Sequence, residues 1–174
     1  MRLTSVTPTN REVFFPRDDL IVSKTDLRGH ISYVNRTFID ISGYDEAELL
    51  DEPHSVIRHP EMPRCIFQLL WETIKSEREI FAFIRNMCKN GDHYWVLAHV
   101  TPTFDSNRTV IGFHSNRRVP ERKHVAMFSD LYEKLLSEER RHSDWRSGIK
   151  ESARILAQTT AAAGLDYEQY VFSI

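Results

Sequence analysis

Three side chains that can do chemistry lie within the six-residue stretch RHPEMP: Arg58, His59 and Glu61. A guanidinium, an imidazole and a carboxylate this close together are compatible with a metal site, an acid–base pair or the rim of a ligand pocket. They are also compatible with a structural arrangement, in which Arg58 pairs with Glu61 at the surface and His59 caps the helix expected after Pro60. The surrounding sequence has to decide between these alternatives.

A metal or hydrolytic centre finds little support in that sequence. His54 and His59 are five residues apart, and no nearby cysteine or second acidic residue completes a recognisable set of four ligands. No serine or cysteine has a paired base at a spacing typical of nucleophilic catalysis. We therefore predict neither a bound metal nor an enzyme.

Length and composition are those of an ordinary globular protein. The 174 residues are 41% hydrophobic and 28% charged, with a net charge of −2, so no basic surface for nucleic acid is indicated. No apolar run approaches the ~18 residues of a membrane span, and the N-terminus lacks a secretory signal. The two cysteines, Cys65 and Cys88, are interpreted as reduced thiols. We expect a cytoplasmic protein that does not itself insert into a membrane.

Turn and periodicity signals predict five strands and several helices. The strands are predicted in LIVSKTD, ISYVN, EIFAFIRNMCK, HYWVLAHVTPTF and TVIGFHSNRR. Gly29 separates the first pair, and the Asn-Gly turn of KNGD separates the third strand from the fourth, so hairpins and an antiparallel sheet are expected. Short helices in NRTFIDISGY and EAELL, and a longer one beginning at Glu61, precede the third strand. The predicted fold class is α+β, with the short helices on one side of the sheet.

Beyond Pro120 the strand signals stop and two amphipathic helices follow. Their apolar stripes consist of Val125, Phe128, Leu131 and Leu135 in the first helix, and of Ile149, Ala153, Leu156 and Thr160 in the second. We expect these helices to pack on their own sheet, where the face carrying Trp95 is a candidate, or on a second subunit. The predicted organisation is an N-terminal cap (1–19), a sensor domain (20–120) and a helical extension (121–174).

Three motifs within residues 20–120 are specific: NRTFIDISGY, PHSVIRHPEMP followed by Trp71, and NMCKNGDHYWV. Together they resemble a PAS domain, and within that superfamily the sensor domain of bacterial aerotaxis receptors, which bind FAD. The resemblance implies a PAS fold with a flavin pocket. The chain departs from the family pattern at Glu61, where Asp is usual, and at Ile80 and Ala82, where Trp and a small residue are usual.

The resemblance implies that RHPEMP is the rim of a flavin site. The matching Arg58, His59 and Glu61 would bind FAD, and a guanidinium suits the pyrophosphate oxygens. Backbone N–H groups of a helix beginning near Glu61 would attract the same anion. Asn86 would place its amide at the polar edge of the isoalloxazine, since an amide both donates and accepts. The structural alternative for Asn86 is an edge strand, where Asn is tolerated.

Further candidates for cofactor contact are Asn35, Phe67, Trp71, Val96 and His114. Asn35 matches an Asn common in PAS domains, and capping the next helix is the alternative to cofactor contact. Phe67 and Trp71 lie four residues apart on the longer helix, as core residues or as a wall of the pocket. Strand alternation, combined with the resemblance, places Val96 on the pocket face of the fourth strand.

On the last strand, Gly112, His114 and Asn116 share a face. The resemblance places His114 near the Gln that photosensing relatives carry beside the reactive flavin nitrogen. An exposed histidine, or one satisfied within the core, is the alternative. Cys65 does not stand in the motif of the photoadduct cysteine of those relatives, so covalent flavin photochemistry is not expected.

Three functions remain open from the sequence. The first is a flavin-based sensor of redox state or oxygen in aerotaxis-like signal transduction. The second is a haem-based gas sensor in which His54, His59 or His114 ligates iron. The third is a cofactor-free interaction module that dimerises through the first amphipathic helix. We expect a homodimer and a downstream signalling protein, which can be membrane-bound.

Overall fold

The computed structural model describes residues 6–173 and confirms the α+β fold class. The strands are β1 (Ile21–Thr25), β2 (Ile31–Val34), β3 (Ile80–Met87), β4 (His93–Phe104) and β5 (Val110–Arg118). The helices are α1 (Arg36–Ser42), α2 (Glu46–Leu49), α3 (Arg64–Lys75), α4 (Arg122–Arg141), α5 (Trp145–Ala162) and α6 (Tyr167–Phe172), with a 3-10 turn at His54–Ile57. Residues 1–5 of the predicted N-terminal cap lie outside the described residues.

The five strands form one antiparallel sheet in the order β2-β1-β5-β4-β3. The predicted hairpins β1–β2 and β3–β4 are both present, as expected for strands joined by short turns. Gly91, in the second of these turns, has a φ of 90°, a backbone conformation that favours glycine. The strand order leaves β3 at one edge, where Arg58 of RHPEMP forms an antiparallel bridge with Asn86.

The short helices begin and end where the sequence predicts caps. The Asn35 side chain accepts a hydrogen bond from Phe38 N at 3.1 Å and another from Val22 N at 2.9 Å, which ties the start of α1 to β1. Gly43, with a φ of 73°, closes α1, and Asp45 forms a capping box at the start of α2. We call the face of the sheet covered by α1 and α3 the inner face.

Helix α3 begins at Arg64, and the predicted start at Glu61 is therefore wrong. Pro63, immediately before it, has no side chain that can cap the helix. The carboxylate of Glu139, in the last turn of α4, caps it instead and accepts from the backbone N–H groups of Arg64 and Cys65, both at 3.0 Å. A carboxylate is favoured there because the first N–H groups of a helix are unpaired and its dipole is positive. The Glu139 carboxylate thus binds the backbone N–H groups at the start of α3, where the sequence suggested that a phosphate would bind.

The C-terminal helices cover the opposite face of the sheet, which we call the outer face. Tyr132 of α4 stacks on Trp95 with ring centroids 6.0 Å apart, and its hydroxyl donates to Phe83 O at 2.6 Å. Phe128 packs on the ring of Phe83 at 4.3 Å. Helix α5 packs against α3 and α4, and α6 against β3. Of the two predicted amphipathic helices, α4 packs on the Trp95 face of its own sheet, whereas α5 packs on α4 and α3.

Candidate functional site

A cavity of about 360 Å³ lies between the inner face of the sheet and helix α3. Its walls also include the β1–β2 turn and the 3-10 turn before RHPEMP. The volume is at the lower end of the ~300–1,000 Å³ typical of small-molecule sites. The cavity combines an apolar wall of aromatic rings with a set of buried polar groups.

The apolar wall is built from α3 and β5. Phe67 and Trp71 lie one helical turn apart on α3 and both line the cavity. Trp71 meets Phe113 of β5 edge to face, with ring centroids 5.6 Å apart. Its indole also passes so close to Gly29 that a Cβ there would lie 2.8 Å from it. A glycine in the β1–β2 turn is therefore part of what positions this wall.

Three buried polar side chains line the cavity with an atom that has no hydrogen-bond partner within residues 6–173. The atoms are Asn86 Nδ2, Ser115 Oγ and Arg117 Nη1. Buried polar groups are normally paired, and one left unpaired costs roughly 1–3 kcal/mol. Three such atoms around one cavity could donate hydrogen bonds to a molecule bound there.

Arg117 is a buried cation, only 3% exposed. Its Nη2 donates to Ser23 Oγ at 2.7 Å and to His54 Nε2, and its guanidinium lies 5.3 Å from the ring centroid of Phe38. None of these partners within the described chain is a carboxylate, and burial lowers the pKa of Arg117 to about 10. A buried guanidinium without a counter-charge favours a ligand with an electron-rich or anionic edge.

Burial and Arg117 together determine the protonation state of His54. Burial, followed by repulsion from this guanidinium, lowers the pKa of His54 to about 3, so the imidazole is neutral near pH 7. Because Arg117 donates to Nε2, we assign the ring proton to Nδ1. The Nε2 atom is shared with Ser23 Oγ, 3.1 Å away. Among residues 6–173, no group of three or more His, Cys, Asp or Glu side chains could hold a metal.

Arg58 is the part of RHPEMP that reaches the cavity. Its guanidinium carbon lies 4.2 Å from the ring centroid of Phe67, and Nη2 donates to Met62 O at 3.4 Å. The bridge between Arg58 and Asn86 places both side chains beside the same opening. Burial, with a smaller contribution from Arg64, lowers the pKa of Arg58.

His59 and Glu61 lie on the other side of this strand edge. His59 is 0% exposed, packs against His93 at 5.7 Å, and accepts at Nδ1 from Glu61 N at 3.1 Å. Burial lowers the pKa of His59 to about 4. Glu61 forms its ion pair with Arg85, so the alternative of an Arg58–Glu61 surface pair is wrong. Alternation along the bridged segment turns adjacent side chains to opposite faces, which separates Arg58 from its neighbours.

Two other candidate residues lie outside the lining of the cavity. Asn35 caps α1, and its Nδ2 donates to Leu20 O at 2.7 Å. Val96 is fully buried on the inner face, but Ala98 and Val100 line the cavity further along β4. The structure thus brings Arg58, Phe67, Trp71 and Asn86 together, and it places Asn35 and Val96 in supporting positions.

Strand β5 carries the residues that sequence reasoning missed. Ser115 and Arg117 point to the inner face, whereas the predicted pocket face was that of His114 and Asn116. His114 borders the cavity, but its Nε2 lies 3.1 Å from Asn116 Oδ1. An arginine inside a strand that pairs on both sides is disfavoured without a specific partner, and this was the available signal.

Comparison with known proteins identifies relatives of this arrangement. A family model described as the PAS fold matches residues 31–117. The chain is 36% identical to the aerotaxis receptor of Escherichia coli (strain K12) over 118 residues, 68% of this chain and 23% of the receptor. It is 30% identical to the nitrogen fixation regulatory protein of Klebsiella pneumoniae over 84 residues, 48% of this chain and 17% of that protein. The chain therefore spans less than a quarter of the length of these relatives.

The solved structures show the same fold. A light-oxygen-voltage domain studied with a flavin analogue aligns with a TM-score of 0.56 at 16% identity, over 71% of this chain and 87% of that one. Within residues 6–173 of the present chain, no helix is both long enough and apolar enough to cross a bilayer. The family match, the strand order and the helices on the inner face together show that this chain belongs to the PAS-fold family.

Proposed function

We propose that this chain binds a flavin in the cavity and senses redox state or oxygen in signal transduction. The observation that carries the proposal is the set of unpaired polar atoms of Asn86, Ser115 and Arg117 in a cavity walled by Phe67 and Trp71. An isoalloxazine is a flat, largely apolar ring system whose carbonyls and ring nitrogens accept hydrogen bonds. Similarity to an aerotaxis receptor and to a light-oxygen-voltage domain supports the same cofactor class.

Each cavity residue has a role toward such a cofactor. A bound flavin would supply reversible electron uptake, which the side chains around the cavity do not offer. Asn86 and Ser115 would orient the polar edge of the ring, and Arg117 would hold a positive charge beside it. Phe67 and Trp71 would keep water from its faces. A change in ring charge would change what Arg117 and Asn86 pair with, and so bias the fold between two states.

The geometry favours a flavin over haem, the other cofactor that the sequence left open. His54 Nε2 is engaged by Arg117 and Ser23, His59 lies on the far side of β3, and His114 is hydrogen-bonded to Asn116. We favour FAD among the flavins because Arg58, at the opening, offers a phosphate-binding guanidinium. The resemblance to aerotaxis receptor domains implies the same choice.

We further propose a non-enzymatic, cytoplasmic sensor with residues 20–120 as its sensing part and residues 121–174 as its output. Helix α4 contacts the outer face of the sheet, and both α4 and α5 contact helix α3, which supports an output role. A homodimer, and a downstream signalling protein at a membrane or free of it, complete the proposal. Similarity to a receptor is its support.

The test is an absorption spectrum of the freshly purified protein, expressed with riboflavin available. We expect the near-ultraviolet and blue bands of a flavin, and release of FAD on boiling, identified by chromatography. Arg117→Met roughly keeps the side-chain volume and removes the charge, so it should lower the flavin content of a folded protein. Arg17→Met, at a side chain that is 80% exposed, is the control and should not. A Soret band, or no chromophore, would overturn the proposal.

A further inference from the structure

An open groove of about 580 Å³ borders the cavity at Arg58. Arg58 lines both spaces, so its guanidinium marks the boundary between them. One wall of the groove is the RHPEMP segment with Arg64 behind it. The other wall is the end of α4 and the turn into α5, which carry Arg140 and Trp145. The groove therefore joins the opening of the cavity to the C-terminal helices.

The groove is positively charged. Within residues 6–173, Arg58, Arg64 and Arg140 form no ion pair with a carboxylate, in contrast to the neighbouring Arg141, which pairs with Glu138. Arg64 and Arg140 are exposed side chains at the surface of the groove. Guanidinium forks bind phosphate oxygens through paired, charge-assisted hydrogen bonds.

Glu139 is the one carboxylate among the described residues that line the groove, but it is engaged elsewhere and does not pair with the arginines. Its oxygens already accept from Arg64 N and Cys65 N, both at 3.0 Å, and from Ser152 Oγ at 3.1 Å. These bonds hold the carboxylate against the start of α3. The guanidinium groups of the arginines can therefore bind an anion that residues 6–173 do not provide.

We propose that this groove binds the diphosphate and adenosine of an FAD whose flavin ring lies in the cavity. The inference rests on the flavin binding proposed above and adds α4 and α5 to the cofactor site. FAD consists of two ring systems joined through a diphosphate, and a cavity of about 360 Å³ is small for a ligand of this size. Arg58, at the boundary of the two spaces, lies where the linking phosphates would pass.

The outer end of the groove offers an aromatic surface for the adenine. Trp145 is the first residue of α5, and its indole is 55% exposed. The guanidinium of Arg146 lies 5.3 Å from the centroid of that indole. Exposed aromatic rings and adjacent arginines are the groups on which nucleobases stack.

The proposal predicts how this chain discriminates between flavins. Riboflavin would fill the cavity without reaching the groove, FMN would bring one phosphate to Arg58, and FAD would also engage Arg64, Arg140 and Trp145. The expected order of affinity is therefore FAD, then FMN, then riboflavin. FAD alone would connect the cavity to helices α4 and α5.

The test is a titration of the flavin-free whole chain with FAD, FMN and riboflavin, followed by calorimetry or flavin fluorescence. Arg140→Glu should weaken FAD binding by about tenfold or more, because it removes a phosphate donor and adds a repulsive charge. It should leave the affinity for riboflavin unchanged. Arg141→Glu is the matched control, since Arg141 is the next residue, is exposed and pairs outside the groove, so FAD affinity should not change.

Other outcomes separate this inference from the proposed function. Arg28 lies at the β1–β2 turn, on another side of the cavity. Loss of FAD affinity in Arg28→Glu but not in Arg140→Glu would overturn the proposal that the groove binds FAD. Equal affinities for FAD and riboflavin would also overturn it, as would equal losses of FAD affinity in Arg140→Glu and Arg141→Glu. None of these three outcomes would contradict the proposed binding of a flavin in the cavity. Failure of all three flavins to bind would overturn both proposals.

Discussion

On the inner face of the sheet, Asn86, Ser115 and Arg117 are buried beside a cavity with polar atoms unpaired. On the outer face of the same sheet, Phe83 and Trp95 are covered by aromatic rings of α4. The outer arrangement stabilises the fold, because buried rings contribute both area and specific contacts. The inner one destabilises it, because unpaired buried groups carry a desolvation penalty. Local departures of this kind from the usual rules of packing are expected at functional sites.

The largest expected effect comes from breaking the packed face. Phe128→Ala removes a ring that is 0% exposed and lies on Phe83. We expect the free energy of unfolding to fall by about 3–5 kcal/mol, since lost burial and the new cavity add together. Urea denaturation followed by circular dichroism measures this. Phe14→Ala, at a ring that is 67% exposed, should change stability by no more than about 0.5 kcal/mol. Unchanged stability of Phe128→Ala would show that α4 does not hold the outer face.

The next effect concerns ligand binding on the inner face. Arg58→Ala removes charge-assisted donors worth ~1.5–3 kcal/mol, so flavin affinity should fall roughly ten- to a hundredfold. The fold should survive, because Arg58 lies in an irregular segment and its side chain makes one hydrogen bond within residues 6–173, to Met62 O. Titration gives the affinity, and circular dichroism checks the fold. Arg36→Ala, at a side chain that is 83% exposed on α1, should alter neither. An unfolded Arg58→Ala protein would instead assign Arg58 a structural role.

A smaller effect compares two histidines, the half-buried His54 on the inner face of the sheet and the fully buried His59 beside the edge strand β3. Burial lowers the pKa of His54 to about 3 and that of His59 to about 4. In the unfolded chain both lie near 6.5, so the unfolded state takes up protons first as the pH falls. The stabilisation is complete above about pH 6.5 and is lost as the pH falls toward the folded values. At about pH 5 each histidine should account for a loss of about 2 kcal/mol.

Unfolding free energies of the wild type, His54→Gln and His59→Gln across this pH range check that expectation. Glutamine keeps hydrogen-bonding capacity and does not titrate, so each variant should lose less stability in acid than the wild type. Curves that run parallel for all three proteins would show that neither imidazole is held neutral by the fold.

The smallest effect is communication between the two faces. Re-pairing of Arg117 and Asn86 on flavin reduction should disturb α3, which lies between the cavity and the C-terminal helices. Hydrogen exchange of residues 121–163 should therefore be faster in the reduced protein than in the oxidised one. Identical exchange in both states would make these helices a passive cover, with the signal leaving by another surface.

Local chemistry was enough to predict much of the fold. The Asn-Gly turn at Asn90 and Gly91, the cap at Asn35 and the closing Gly43 each act within a few residues, so their effects can be read directly from the sequence. The apolar stripe containing Phe128 likewise has a period that only a helix satisfies. From these features the helices and strands, their order and the face of the sheet that α4 covers could be predicted.

Which residues form the site could not be predicted fully, because it depends on contacts between residues far apart in the sequence. Alternation on β5 gives a period of two, but the choice between His114 and Arg117 for the inner face is made by pairing with β1 and β4. Arg58 and His59 separate because the chain follows the edge of β3, which sequence spacing does not reveal. The start of α3 at Arg64 depends on a carboxylate 75 residues away.

That carboxylate, Glu139, limits how far the protein can be truncated from its C-terminal side. Ending the chain at residue 120 would remove the group that satisfies the first amides of α3 and would expose Phe83 and Trp95 to water. An exposed apolar patch beside the edge strand β3 is a template for aggregation. The smallest piece that folds on its own should therefore extend at least through Glu139, and expression boundaries drawn from the family match alone would fall inside it.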